Sequence, residues 1–148
     1  MRESVAAAAL IREDRGGDTW WLARWSRSWQ CYHLVGGHKH DDESFRQCLV
    51  REIGEELGLQ EHDDFMLSEE PAAHLEFVAW SEGAKEETAY TTELFDFQFR
   101  GATARAKVDA GAKTRWVCEA EIRDGRCNDG NPISHTMGLI LRRTNWGR

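Results

Sequence analysis

The chain has no surplus of positive charge, no apolar run long enough to cross a bilayer and no closely spaced cysteines, and each shortage removes a class of function. Lys and Arg number 19 against 26 Asp and Glu, for a net charge of −7. Sequence-independent binding to long nucleic acid needs a basic surface, so no extended nucleic acid is expected as a partner. A small phosphorylated ligand stays compatible with this balance, because one local patch or a metal ion holds it. A membrane span needs about 20 consecutive apolar residues, and no run approaches that length. The stretch VAAAALI (5–11) is too short, and it leads into IREDRGGD rather than a small-residue cleavage site. It reads as a strand and not as a signal peptide; no membrane contact and a cytoplasmic location are expected. Cys31, Cys48, Cys118 and Cys127 are scattered, with no CxxC pair and no histidine ladder. Disulfide frameworks and zinc sites both want patterned spacing, so reduced thiols are expected. Repeats, linkers and low-complexity tracts are missing too.

What is present fits one soluble domain over residues 1–148, with 41% hydrophobic and 30% charged residues and enough chain to bury a core. Apolar, β-favouring runs at 5–11, 20–25, 74–80, 90–99 and 115–118 alternate with turn-forming segments, and DRGGDT (14–19) reads as a hairpin connection. A first helix is expected from Ser44, where Ser44 and Gln47 suit a capping box, to the C-terminal glycine Gly58. A second is expected from NPIS (131–134), with Asn131 as cap and Pro132 at the first helical position. Ile133, Met137, Ile140 and Leu141 lay one apolar stripe along it. Strands outnumber helices, and the helices lie isolated between them, which points to an α+β or sheet-sandwich architecture.

The stretch REIGEELG (51–58) poses an electrostatic problem. At about 100° per residue, Glu52, Glu55 and Glu56 share an arc of roughly 100°. Leu49, Ile53 and Leu57 form an apolar stripe beside it. Two carboxylates about 5 Å apart repel by roughly 3 kcal/mol at an effective dielectric near 20. Three such contacts would rival the whole stability of a small domain, about 5–15 kcal/mol. Arg51, four residues before Glu55, relieves part of this; a divalent cation would relieve more, and hard oxygens gathered this way suit Mg²⁺ or Mn²⁺.

Upstream, HLVGGHKHDDES (33–44) runs an extended segment into a double glycine and a polar loop. Gly37, Glu43, Arg51, Glu52, Ile53, Glu55, Glu56, Gly58 and Leu59 stand at every fixed position of the Nudix box, and the sequence resembles a Nudix hydrolase over residues 37–59. The resemblance implies an α/β/α sandwich around a mixed sheet, with the box as loop–helix–loop and a late C-terminal helix. It also implies Mg²⁺- or Mn²⁺-dependent hydrolysis of a diphosphate linked to another group, commonly a nucleoside diphosphate derivative, by water attacking phosphorus. Carried over by position, Glu52, Glu55 and Glu56 become metal carboxylates, with the backbone carbonyl of Gly36 or Gly37 as a further oxygen. Arg51 and Glu43 hold the glutamates in place. The general base is a box glutamate or an acid outside the box, for which Asp109 and Glu93 stand as candidates. RWVCEAEI (115–122) resembles the family's tryptophan-containing strand and turn. Val35 stands where the family commonly has proline, and Asp42 where a glycine often precedes the box glutamate.

Outside the box, Arg24 and Arg27 are candidate phosphate contacts. Among Trp20, Trp21, Trp25 and Trp29, one is a candidate to stack on a base, with the rest expected in the core or on a sheet face. His33, His38 and His40 are expected in solvent. Two rivals remain. An isoprenoid-diphosphate isomerase on the same fold would need a catalytic cysteine, Cys31 or Cys48. A non-catalytic nucleotide-binding module would tend to have lost box glutamates, and none is missing. Oligomeric state is left open, a homodimer included.

Overall fold

The computed structural model describes residues 1–147. Strands β1 (Arg2–Leu10), β2 (Arg12–Arg15), β3 (Asp18–Ser26), β4 (Cys31–Leu34) and β5 (Gly36–His38) precede helix α1 (Phe45–Leu57). Then follow β6 (Phe65–Leu67), β7 (Ala73–Ser81), β8 (Glu86–Phe99), α2 (Gly101–Asp109), β9 (Thr114–Cys118), α3 (Glu119–Asp124) and α4 (His135–Arg143). The expected hairpin forms where Arg15 pairs with Asp18. Gly16 and Gly17 take φ of 57° and 92° in its two-residue turn, a conformation that suits the twist of a tight hairpin and favours glycine.

Two sheets result. One is mixed, with β1 parallel to β8 and β5, β6 and β7 antiparallel to their neighbours. The other is antiparallel and joins β2, β3, β4 and β9. Alternate residues of a strand face opposite sides, and β1 shows what that does here. Ala7 and Ala9 join Leu49, Ile53, Phe65 and Phe95 under α1, whereas Ala8 and Leu10 join Leu94, Met137, Ile140 and Leu141 under α4. Helices therefore cover both faces, and the architecture is the expected α/β/α sandwich. Among the described residues no helix is long and apolar enough to cross a membrane.

The second helix starts later than the residues around Asn131 suggest. Tyr32 N–H donates to the Pro132 carbonyl and Ser134 N–H to the Tyr32 carbonyl, so residues 132–134 are held extended against β4. Asn131 spends its backbone and side-chain amides on Asp129. Ser134, not Asn131, caps α4, accepting from Met137 N–H at 3.0 Å. The apolar stripe itself holds, for Ile133, Met137, Ile140 and Leu141 are all buried. Helix α2 had no sequence signal because it buries only Ala104 and Val108.

Candidate active site

Helix α1 is built as its sequence dictates. Ser44 accepts from Gln47 N–H, Gln47 Oε1 accepts from Ser44 N–H, and Gly58 ends the helix in the left-handed region at φ 67°. Leu49, Ile53 and Leu57 go into the core, which turns the glutamate arc toward the end of β4 and the start of β5.

Arg51 is the hub of that arc. Its guanidinium donates to both Glu43 oxygens at 3.1 and 2.7 Å, to Glu52 Oε1 at 2.9 Å, and to the His38 carbonyl at 3.0 Å. Glu55 lies farther off, at 3.5 Å, with its side chain 60% exposed. The Arg51 pairing, with a second hydrogen bond from His40 N–H, holds the Glu43 carboxyl down at about 2. Glu43 is therefore a fixed anion across the working pH range and keeps Arg51 where it can grip Glu52.

The two glycines of the double glycine serve different purposes. Gly36 has φ 154°, and a Cβ there would collide with the Ala7 carbonyl and lie 2.8 Å from Ala8 Cα. This is where the chain crosses from the antiparallel sheet to the mixed one. At Gly37 the obstacle is Glu52, whose Cδ would be 2.5 Å from an added Cβ. Gly37 thus lets a carboxylate lie against bare backbone. Val35 is fully buried and its carbonyl accepts from Ala9 N–H, so packing holds the turn in place of a proline ring. Asp42 has no left-handed φ and costs the loop no strain.

Glu56 faces Glu52. Burial pushes the Glu56 carboxyl up to about 8, and Glu52 adds to the rise, while Arg24 and a hydrogen bond from the Gly36 backbone act against it. Arg24 Nε stands 3.7 Å from Glu56 Oε2 and has no hydrogen-bond partner although buried. Two carboxylates converge on one backbone edge, and the exposed Glu55 lies beside them. No three His, Cys, Asp or Glu side chains among the described residues are gathered closely enough to hold a metal ion by themselves. This donor set fits a hard divalent cation that takes a few protein oxygens and completes its shell with water and phosphate oxygens.

Beside this edge opens a cavity of about 370 Å³, with Glu56, Gly36, Gly37, Arg24 and Arg27 in its wall. The profile of the NUDIX domain matches residues 2–133. The chain belongs to the Nudix family. With its box complete, it is a pyrophosphohydrolase of the Nudix kind. Solved structures agree in fold. The Ap4A hydrolase of C. elegans superposes with a TM-score of 0.64 at 17% identity, covering 98% of this chain and 97% of that one. A NUDIX hydrolase from Nitrosomonas europaea gives 0.60 at 19%, covering 99% and 90%. The NUDIX domain of Shewanella oneidensis NrtR, solved with ADP ribose, gives 0.59 at 12%, covering 98% and 88%. No curated protein matches the chain significantly.

Around the Nudix box the sequence candidates separate into two groups. Glu43, Arg51, Glu52, Glu55, Glu56, Gly36, Gly37 and Arg24 come together. Asp109 and Glu93 stand apart from the cavity wall, each with its own partner. Asp109 accepts from Trp116 Nε1 at 3.0 Å and from Arg105 at 3.0 Å, tying α2 to β9. Glu93 lies 2.7 Å from His74 Nδ1 across β7 and β8. Of the tryptophans, Trp21 is core, Trp20 lies under Arg15, and Trp25 and Trp29 line the cavity. His33 departs from its expected place in solvent. Its ring lines the cavity, with Nδ1 2.6 Å from Ser134 Oγ, and burial lowers its pKa to about 4. Tyr90 and Thr136 also line the cavity, and no local pattern in the sequence marks either.

Proposed function

We propose that this protein hydrolyses a diphosphate linkage in a nucleoside diphosphate derivative, with Mg²⁺ or Mn²⁺ bound at Glu52, Glu55 and Glu56 and at the Gly36 or Gly37 carbonyl. The observation that carries this reading is the pair of facing carboxylates, Glu52 against the bare backbone of Gly37 and Glu56 on the Gly36 backbone, with Glu56 in the wall of a ligand-sized cavity. A bound divalent cation supplies charge stabilisation at the phosphoryl oxygens and acidifies a water molecule. The chain's own residues do the rest. Arg51 fixes the direction of Glu52, and Glu43 fixes Arg51. Arg24, beside Glu56, and Arg27 bring two guanidinium charges to the cavity wall for the diphosphate. A box glutamate takes the proton of the attacking water, because Asp109 and Glu93 are both engaged elsewhere.

Residues 1–148 act as one catalytic unit, and four unpaired thiols accord with a cytoplasmic location. The isomerase reading is weaker. Cys31 and Cys48 are both buried, neither lines the cavity, and burial pushes each thiol up to about 11.

The test is turnover on nucleoside triphosphates, dinucleoside polyphosphates, nucleotide sugars and dinucleotide cofactors, with each metal, identifying products. The Ap4A hydrolase and the ADP-ribose-bound NrtR domain place two of these classes on the panel. Cleavage between phosphorus atoms in any class supports the proposal, and no cleavage of any member sinks it.

A further inference from the structure

The cavity contains polar groups that the fold leaves without partners. The Tyr90 hydroxyl and Thr136 Oγ1 are buried and make no hydrogen bond, and their residues are 5% and 2% exposed. Buried polar groups are almost always satisfied, and one left unsatisfied is destabilising. Two in one cavity wall is therefore a cost that a ligand can remove. The Tyr90 ring is held by stacking on Phe77 at 5.1 Å, and Thr136 is carried by the first turn of α4.

His33 supplies a third group. Ser134 Oγ already accepts from Met137 N–H. If its hydroxyl proton goes to His33 Nδ1, 2.6 Å away, every polar atom of the pair is satisfied. The opposite assignment would leave a buried hydroxyl proton without an acceptor. The ring proton then rests on Nε2, the remaining polar atom of a ring in the cavity wall. Around these groups the walls are aromatic and apolar, with Trp25, Trp29 and Ile140. A cavity of about 370 Å³ is at the small end of the roughly 300–1,000 Å³ usual for small-molecule sites.

We infer that Tyr90, Thr136 and His33 are specificity residues that read the hydrogen-bonding edge of a single nucleobase lying against the tryptophan wall. Tyr90 and Thr136 each give or take a proton, while His33 gives one through Nε2 to an acceptor on the base. Flat rings bearing donors and acceptors match both the apolar walls and the orphaned atoms; a prenyl chain matches only the walls. The inference rests on the proposed function for the position of the diphosphate at Glu56, so its test avoids catalysis.

Equilibrium binding of AMP, GMP, CMP, UMP and ribose 5-phosphate is measured on the wild-type chain, on Tyr90→Phe/Thr136→Val and on His33→Asn, together with thermal midpoints. At least one nucleotide is expected to bind about tenfold or more tightly than ribose 5-phosphate. The double variant should lose about fivefold or more of that affinity, keep ribose 5-phosphate binding unchanged, and melt no lower than wild type because two orphaned groups are gone. His33→Asn, which also leaves Ser134 to re-pair, should weaken the same nucleotide. Equal binding of ribose 5-phosphate and every nucleotide, no binding at all, or undiminished nucleotide binding in the double variant would each overturn the inference. Nucleotide binding without turnover on any substrate would remove the hydrolase reading and leave this one standing.

Discussion

The two ends of the site are built in opposite ways. At the box end, Arg51, Glu43, Glu52 and the His38 carbonyl are bound to one another before any ligand arrives. At the far end of the cavity, Tyr90 and Thr136 hold buried oxygens that bind nothing. The contrast separates two jobs. Geometry for bond cleavage must be in place beforehand, because misplacing a reacting group by about 1 Å costs on the order of 100-fold in rate. Recognition gains from groups left open, because discrimination comes from the penalty of leaving them unpaired with the wrong molecule.

The sharpest test of the contrast is at Glu56. Glu56→Gln should lower kcat on the order of 10³-fold, while the thermal midpoint stays level or rises, since a neutral amide replaces a buried carboxyl. Turnover within about tenfold of wild type for both this variant and Glu55→Gln would dissolve the box end as a catalytic unit. Next in size is Arg51→Met, which unfastens the hub. The half-saturating Mg²⁺ concentration in activity titrations should rise about 10–100-fold, and an unchanged requirement would mean the glutamates orient themselves.

The cavity end yields to pH. His33 has a folded pKa of about 4, below the 6.5 of the exposed ring, so the unfolded chain takes up the proton first. Its stabilising contribution is complete above pH 6.5 and is lost as pH falls toward 4. Its size is on the order of 2 kcal/mol after discounting for the ring's partial exposure. Denaturant midpoints of wild type and His33→Gln should therefore converge between pH 7 and pH 5; parallel curves would show that the ring is not protected. The smallest effect is expected at Gly83, in the turn between β7 and β8, where an added Cβ would strike Trp29 Nε1. Gly83→Ala should shift the indole and raise KM about threefold with kcat unchanged, a split that keeps recognition distinct from chemistry.

The same division explains what could be read from the sequence. The box residues lie within 23 consecutive positions, from β5 through one loop to just past the end of α1, and their spacing reports their geometry directly. The Ser44 and Gln47 capping box and the left-handed Gly58 follow from local rules and appear as those rules dictate. Asn131 and Pro132 satisfied equally good local rules for a helix start, yet pairing with Tyr32 holds that segment extended. His33, Tyr90 and Thr136 come from β4, β8 and α4; what marks Tyr90 and Thr136 is an empty hydrogen-bond position and what marks His33 is its pairing with Ser134, and no spacing encodes either. Asp109 and Glu93 look like free acids in one dimension, and only the fold reveals Arg105, Trp116 and His74 beside them.

At Val35 and Gly36 the chain leaves one sheet for the other, and the cavity straddles that seam. The carboxylates ride on α1, packed against the mixed sheet, while Arg24, Trp25 and Trp29 ride on the end of β3 and the turn after it. The two halves of the site meet at this β4–β5 crossing, where Gly36 has no room for a side chain. Descent with change can exploit this arrangement. Mutations that retilt β3 or refill its indole wall alter which molecule is admitted and leave the cutting apparatus as inherited, whereas any side chain at Gly36 would disturb both at once.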